Sequence, residues 1–212
     1  MTAAPDGERR PVSRGAVKLD GALDALELDV AGMRALDAGA STGGFTEVLL
    51  ARGAREVVAV DVAYGQLAWT LRTDDRVRVL ERTNIRALDV EMTGGRVDVV
   101  VADLSFISLR TVADALVAVT GDDGHFVLMV KPQFELPKSS VPRGGVVREP
   151  SAWLHAVRSV ADAYRGLGCV LLGATPSMLP GPKGNREFFV HLARTGADAG
   201  DAVIARAIED AP

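Results

Sequence analysis

The chain has 212 residues, 48% of them hydrophobic, with a formal net charge of −4 at pH 7. This length predicts one domain with a single core, and the charge argues mildly against broad nucleic-acid binding, which normally needs an excess of lysine and arginine. Strand-sized apolar runs and the lack of an apolar signal core near the amino terminus predict a cytoplasmic protein without membrane spans.

The first part of the chain predicts a flexible leader and then a helix. Residues 1–12 are polar and include two prolines, which is typical of a disordered segment. From Ser13, a possible N-cap, apolar residues recur every three or four positions. Lys18 falls in this helix, and its local sequence predicts only a surface lysine whose stem packs along apolar neighbours.

Residues 33–45 predict a strand, a tight loop and the start of a helix, around which the rest of the chain is organised. An apolar run ends at Asp37, and a helix over residues 45–52 begins with unpaired N–H groups near Phe45. Between them lie three glycines that let the backbone approach a ligand closely, Gly39, Gly43 and Gly44. A loop of this kind cradles a polar ligand.

The ligand of this loop is predicted to be a nucleoside that carries positive charge. A second apolar run, residues 56–61, ends at Asp61, about 20 residues past the glycines, where an acid can bind ribose hydroxyls. Asp37 would repel a pyrophosphate, but it suits a sulfonium centre or an amino acid group. We therefore infer S-adenosylmethionine as the cofactor, and a generic strand-to-helix turn is the alternative.

A third strand is predicted over residues 76–80, where charged and apolar residues alternate as in an outer strand. It leads to a turn at Asn84 and Ile85 that we expect to contact an adenine. A short helix is predicted to begin at Tyr64, between the second and third strands.

The fourth and fifth strands are predicted over residues 96–103 and 126–131, with a helix over 106–119 between them. The fourth has the continuous β-branched core of a buried parallel strand and ends at Asp103. The fifth ends at Lys131, whose side chain is expected at the carboxyl edge of the sheet, where open α/β folds bind ligands. Three other strands are predicted to end in an acid at this same edge, so we interpret Lys131 as functional rather than as an ordinary surface residue.

Residues 132–149 are rich in proline and glycine and predict a long irregular loop that serves as a lid or a substrate contact. Several bases lie in and near this loop: Lys131, Lys138, Arg143, Arg148, Lys183 and Arg186. If their side chains converge, they form one basic edge of the molecule. The alternative is that they are ordinary solvated loop charges.

The last part of the chain predicts a helix over residues 151–165, a strand over 168–174 and a final strand over 185–192 that carries Glu187. Alternation along the final strand places Phe188 and Val190 opposite to Glu187, Phe189 and His191. Residues 195–212 predict a weakly ordered tail with a marginal helix near 201–209. The single cysteine, Cys169, excludes an intrachain disulfide, and three histidines leave no apparent metal-ligand cluster.

Six ordered blocks carry a family resemblance over about residues 13–193: SRGAVKL from Ser13, DAGASTGGFTE from Asp37, DVAYGQL from Asp61, ADLSFIS from Ala102, VKPQFE from Val130 and GNREF from Gly184. They resemble the TlyA (haemolysin-like) family of FtsJ-type ribose 2′-O-methyltransferases. The resemblance implies a Rossmann-like class I methyltransferase fold over residues 13–194, an α/β fold with a mostly parallel seven-stranded sheet and helices on both faces.

The resemblance also implies a site. The family uses a Lys-Asp-Lys-Glu tetrad, which maps onto Lys18, Asp103, Lys131 and Glu187. The positions expected to bind S-adenosylmethionine are Asp37, Gly39, Ala40, Ser41, Gly43, Gly44, Phe45, Asp61, Val62, Asn84, Ile85 and Asp103. We hypothesise that Lys131 deprotonates the substrate hydroxyl or stabilises its oxyanion, and that the other three members orient it.

The substrate that the resemblance implies is ribosomal RNA or a ribosomal subunit. Familiar members of the family carry a small RNA-binding domain before the methyltransferase domain, whereas this chain begins almost at the first helix. With the negative net charge, this start raises a second hypothesis, a tailoring enzyme that O-methylates a small molecule or uses the cofactor site without methyl transfer. A third hypothesis, a non-catalytic RNA-binding module, does not need the whole tetrad.

Overall fold

The computed structural model describes residues 13–211, and the leader predicted over residues 1–12 lies outside them. The strands are β1 (Arg34–Ala38), β2 (Glu56–Val60), β3 (Val77–Leu80), β4 (Val97–Ala102), β5 (Thr120–Val130), β6 (Val170–Pro176) and β7 (Phe188–Ala193). They form one seven-stranded sheet in the order β3-β2-β1-β4-β5-β7-β6. The first five strands pair in parallel, and β7 runs antiparallel to both β5 and β6. The predicted mostly parallel sheet is confirmed.

The α-helices are α1 (Arg14–Ala25), α2 (Gly44–Ala51), α3 (Trp69–Arg72), α4 (Val90–Thr93), α5 (Ala113–Ala118), α6 (Pro132–Glu135), α7 (Pro150–Arg165) and α8 (Ala202–Glu209). Short 3-10 helices span Ile85–Ala87, Leu109–Val112 and Lys138–Ser140. Within residues 13–211, no helix has both the length and the apolar character needed to cross a membrane.

Two hydrophobic cores cover the two faces of the sheet, because side chains alternate along each strand. One core holds Phe188 and Val190 of β7 with buried residues of α5, α7 and α8. The other holds Phe189 with Leu19 of α1 and Leu49 of α2. The alternation predicted for the last strand is therefore correct, and both faces of the sheet carry helices.

Several element boundaries differ from those predicted. The helix expected from Tyr64 is the single turn α3, which begins only at Trp69, because residues 61–68 form the irregular loop after β2. The helix expected over 106–119 starts only at Leu109, in a 3-10 turn that continues into α5. The loop over 132–149 contains α6 and a second 3-10 turn. Glu187 immediately precedes β7 rather than lying within it.

Residues 195–211 are packed more closely than the weakly ordered tail predicted there, and the marginal helix predicted near 201–209 is confirmed as α8. Within residues 195–211, α8 buries Ile204 against the sheet, and Arg165 of α7 pairs with Asp198 and Asp201 at 2.6 and 2.8 Å. The Arg165 guanidinium holds the pKa of Asp198 well below its usual range. The composition of this segment, rich in alanine, glycine and aspartate, does not indicate such packing, because the arginine that pairs with its acids lies more than 30 positions earlier in the chain.

A histidine pair links β5 and β7. Nδ1 of His125 lies 3.1 Å from Nε2 of His191, and the imidazole of His191 is buried. Burial lowers the pKa of both rings, and it lowers that of His191 to about 4, with a smaller contribution from His125. The fold therefore favours the neutral rings.

This pair predicts a loss of stability in mild acid. Unfolded His191 takes up a proton near pH 6.5, whereas the folded ring stays neutral down to about pH 4, so the stabilisation is complete above pH 6.5 and is lost as the pH falls. We expect urea unfolding at pH 7.5 and 5.0 to show that the wild type loses about 2 kcal/mol more than His191→Gln. The exposed His155→Gln serves as control, and equal losses in wild type and His191→Gln would contradict the assignment.

Candidate active site

The carboxyl ends of β1, β2, β4 and β5 meet at one edge of the sheet, as their parallel pairing requires. Asp61 follows β2 and fastens the glycine loop there. Its Oδ2 accepts a hydrogen bond from the Ser41 N–H at 2.8 Å, and its Oδ1 accepts one from the Ala63 N–H at 2.8 Å. Asp61 thereby shapes the loop besides facing the space above the sheet.

A first cavity of about 370 Å³ opens beside this loop, which is the size range of small-molecule sites. Its walls include many of the predicted cofactor residues, namely Gly39, Ser41, Asp61, Val62, Asn84, Ile85 and Asp103. A smaller cavity of about 130 Å³ shares Gly39 and Ser41 and is also lined by Ala40, Gly44 and Phe45. Apolar Ile85 and Val112 face polar Asp61 and Asn84 across the first cavity, so it offers both kinds of surface that a nucleoside presents.

Two of the predicted cofactor residues, Asp37 and Gly43, stand behind these walls rather than in them. Gly43 has φ +100°, and a Cβ there would lie 2.2 Å from a methyl group of Leu71. Its glycine is therefore needed for the turn and for packing, and not for direct approach to a ligand. Gly39, at φ +89°, does line both cavities, and a Cβ there would meet the Asp103 carbonyl oxygen at 2.8 Å.

Asp37 is a fully buried carboxyl group beneath the glycine loop. Thr46 donates its hydroxyl proton to Asp37 Oδ2 at 2.7 Å, and Oδ1 has no hydrogen-bond partner among residues 13–211. Burial raises the pKa of Asp37 to about 7, and the nearby carboxylates Asp103 and Asp61 act in the same direction against the Thr46 hydrogen bond. An ionised Asp37 would therefore favour positive charge near the loop.

The four tetrad residues form two ion pairs. Lys131 Nζ lies 2.5 Å from Asp103 Oδ1 and donates a hydrogen bond to Ser105 Oγ at 3.1 Å. Lys18 pairs with Glu187 in a buried contact. Lys18 is 6% exposed, so the local prediction of a surface lysine is wrong, because α1 packs this face against the end of β7. Within residues 13–211, no hydrogen bond or ion pair joins one pair to the other.

A second cavity of about 400 Å³ connects the two pairs in space, because it is lined by Lys131 of one and Glu187 of the other. Its remaining walls come from the loop after β5 and from the segment before β7, including Gln133, Phe134, Gly145, Pro182, Lys183 and Asn185. Ser105 and Phe106 line both the first and the second cavity. The loop after β4 therefore separates the two spaces, with Lys131 on the boundary.

Phe106 is a site residue that the sequence patterns did not single out. Its φ of +66° is unusual for a residue with a side chain, and 90% of the residue is exposed. The ring centroid lies 5.2 Å from that of Phe134. The ADLSFIS block contains Phe106, but neither a positive φ nor exposure can be read from spacing. Such local strain is a recognised mark of functional loops.

Lys183 lines the second cavity, and four further bases lie in or next to the two segments that line it; we call these five the basic rim: Lys138, Arg143, Arg148, Lys183 and Arg186. No ion pair engages any of them in the part of the chain that the structure describes. Asn185 draws their loops together, since it donates to the Gly145 carbonyl at 2.8 Å and accepts from the Val147 N–H at 2.9 Å. Lys131, expected with these bases, pairs instead with Asp103.

The fold and the first cavity, at the carboxyl edge of a mostly parallel seven-stranded sheet, define a class I S-adenosylmethionine-dependent methyltransferase. Comparison with known proteins narrows the class. The family model of FtsJ-like methyltransferases matches residues 11–194. The chain belongs to this family.

Individual relatives agree with this placement. The 16S/23S rRNA (cytidine-2′-O)-methyltransferase TlyA of Mycobacterium tuberculosis is 57% identical over 211 residues, covering 100% of this chain and 78% of the relative. The solved structure of a hemolysin-like protein from Lactococcus lactis superposes with a TM-score of 0.90 at 37% identity, covering 95% of this chain and 98% of that one.

A more distant structure agrees in fold alone. It is a Burkholderia thailandensis methyltransferase with bound S-adenosylhomocysteine, at a TM-score of 0.59 and 20% identity, covering 86% of this chain and 78% of that one.

The buried Asp37 predicts that the stability of the cofactor-free protein depends on this one carboxyl group. Burial raises the pKa of folded Asp37 to about 7, whereas the unfolded group ionises near 3.8, so between these values the unfolded state releases a proton that the folded state keeps, and stability falls as the pH rises, an effect that Asp37→Asn lacks. We expect urea unfolding to show the stability difference shifting by a few kcal/mol towards Asp37→Asn over that range. The exposed Asp75→Asn is the control, and a pH-independent difference would contradict the raised pKa of Asp37.

Proposed function

We propose that this chain methylates a ribose 2′-hydroxyl of ribosomal RNA, with S-adenosylmethionine as the methyl donor. The observation that carries the proposal is the position of Lys131, which pairs with Asp103 and lies on the boundary between the two cavities. The kinship to a cytidine-2′-O-methyltransferase at 57% identity supports the same substrate class.

The residues of the first cavity fit the proposed cofactor. Each Asp61 oxygen accepts one backbone hydrogen bond and retains a lone pair for a ribose hydroxyl, while Ile85 supplies apolar surface for a base. When it is ionised, buried Asp37 adds negative potential under the loop. When bound, S-adenosylmethionine supplies an electrophilic methyl group on a positively charged sulfur.

Lys131 is proposed to act on the substrate hydroxyl, which is a poor nucleophile near neutral pH. Its amine either accepts the hydroxyl proton or stabilises the oxyanion that forms. Asp103 and Ser105 hold the amine at 2.5 and 3.1 Å, so its position is fixed before substrate arrives. Contacts of this kind orient a catalytic group at little entropic cost during the reaction.

Lys18 and Glu187 are proposed to shape the second cavity rather than to contact Lys131 directly. Glu187 lines that cavity, and Lys18 neutralises its buried carboxylate. Removal of one partner would leave the other charge buried and unpaired, which is strongly unfavourable. Their role in methyl transfer would then be to keep the wall beside the substrate in place.

The basic rim and Phe106 favour RNA over a metabolite. Basic side chains around an open cavity suit phosphates, and an exposed aromatic ring suits an unstacked nucleobase. A flipped nucleotide needs both, because its backbone must be held while its base leaves the stack. A methyl-transfer assay with tritiated cofactor, run on ribosomal subunits, free RNA and a metabolite extract, tests the proposal. Labelled metabolite without labelled RNA would overturn it.

Lys131→Ala is expected to abolish methyl transfer while cofactor binding persists. The side chain lies between the cavities but is absent from the walls of the first one, so we expect calorimetry with S-adenosylmethionine to show an affinity within a few-fold of wild type. The rate constant at saturating RNA should fall by at least about 100-fold, the usual scale for removal of an acid–base group. Lys138→Ala, in the rim, should instead raise KM and keep kcat. Full transfer by Lys131→Ala would refute the role.

The basic rim predicts a salt-dependent weakening of RNA binding when its arginines are removed. We expect Arg143→Ala/Arg148→Ala to lower the affinity for RNA and to reduce the slope of log K against log salt concentration by about 0.7 for each phosphate that is no longer neutralised. A filter-binding titration from 50 to 200 mM salt, about the range over which such interactions are screened, measures both. The control Arg55→Ala/Arg206→Ala removes the same charge elsewhere, and an equal effect there would exclude a specific rim.

A further inference from the structure

Glu135 is a buried acid that the proposed mechanism does not use. It ends α6, four residues after Lys131, and its side chain is 1% exposed. Both carboxylate oxygens are engaged. Oε1 accepts from the Leu109 N–H at 2.8 Å, and Oε2 accepts from the Ser108 hydroxyl at 2.5 Å and from Arg110 Nε at 3.4 Å.

These contacts fasten the far end of the loop that follows β4. Arg110 adds a further hydrogen bond from Nη2 to the Glu135 carbonyl oxygen at 2.8 Å. The same Ser108 caps the 3-10 helix that begins at Leu109, so Glu135 holds the point where the loop becomes regular structure. Residues 108–110 are thereby joined to α6 through one carboxyl group and one carbonyl group.

The near end of the loop is fastened by Lys131, through Asp103 and Ser105. The middle of the loop is residues 104–107. Among the residues that the structure describes, the one hydrogen bond from this stretch to another segment is the bond that Ser105 accepts from Lys131. Phe106 rests on Phe134, a neighbour of Glu135. Apart from the Asp103 N–H, which donates to the Ala38 carbonyl at 3.1 Å, the wall between the two cavities takes its polar anchors from one segment, residues 131–135.

We propose that Glu135 is a positioning residue, which fixes the loop after β4 so that Asp103 and Ser105 hold Lys131 and Phe106 stands between the two cavities. The inference rests on the proposed function, because it assigns Glu135 an effect on the step in which Lys131 acts. A misplacement of about 1 Å in such a group is enough to cost on the order of 100-fold in rate.

Glu135→Gln is the direct test, because it keeps the size of the side chain but converts one acceptor edge into a donor. We expect kcat on ribosomal RNA to fall by about 10- to 100-fold, with KM for RNA within about threefold, because the basic rim that binds phosphates is elsewhere. Glu209→Gln, at an exposed position in α8, should match wild type. Wild-type kcat in Glu135→Gln would overturn the proposal.

A double-mutant cycle separates positioning from general stability. Ser108→Ala removes the hydroxyl that contacts Glu135 and should lower kcat, with only the small fall in melting temperature that loss of a cap brings, and it remains testable if Glu135→Gln fails to fold. The double variant should be no slower than Glu135→Gln, because both changes release the same loop. Wild-type kcat in Ser108→Ala, or losses that simply add, would contradict the proposal.

Hydrogen exchange tests the loop without any activity. Glu135→Ala, which removes both acceptor oxygens, should speed exchange of the Leu109 amide, while amides in β4 remain protected. Unchanged exchange at Leu109 would overturn the positioning role. A wild-type protein that transfers no methyl group to RNA would instead refute the proposed function, and the exchange result would still decide how the loop is held.

Discussion

The parallel pairing of β4 with β5 is the constraint on which the site depends. Their register aligns Ala102 with Leu128, so both strands end at the same edge and the following residues, Asp103 and Lys131, come within 2.5 Å. The opposite charges of Asp103 and Lys131 remain paired in a largely buried place, where either charge alone would destabilise the fold. The amine therefore occupies a fixed position that neither strand could supply by itself.

The second ion pair shows how far the site extends beyond the sheet edge. Lys18 in α1 and Glu187 before β7 are separated by 169 positions in sequence, and both are buried. A buried pair of this kind contributes little net stability compared with apolar residues of similar size, so its presence fits a demand of the site more than a demand of the fold. Through Glu187 it contributes to the lining of the second cavity, which Lys131 also lines.

Sequence patterns predicted the sheet well because strand signals are local. Apolar runs ending at Asp61, Asp103 and Lys131 placed those side chains at one edge, and the parallel sheet confirms it. Properties that depend on distant partners could not be predicted locally. The local sequence of Lys18 predicted a surface residue, but the packing of α1 buries it. Residues 195–211 likewise pack through an ion pair with Arg165 of the distant helix α7. The left-handed backbone of Phe106 likewise follows from its loop anchors and not from its neighbours in sequence.

The net charge of −4 is a poor guide to the surface around the site, because the acids are unevenly engaged. Asp20 and Asp24 pair with Arg52 on the α1 and α2 side, and Asp198 pairs with Arg165 beside α8. The five bases of the rim have no such partners among residues 13–211, so their positive charge is not cancelled by a paired acid. A polyanion responds to the field within about one Debye length, roughly 8 Å at physiological salt, and not to the total charge. The total charge of the chain is therefore not an argument against an anionic substrate beside the second cavity.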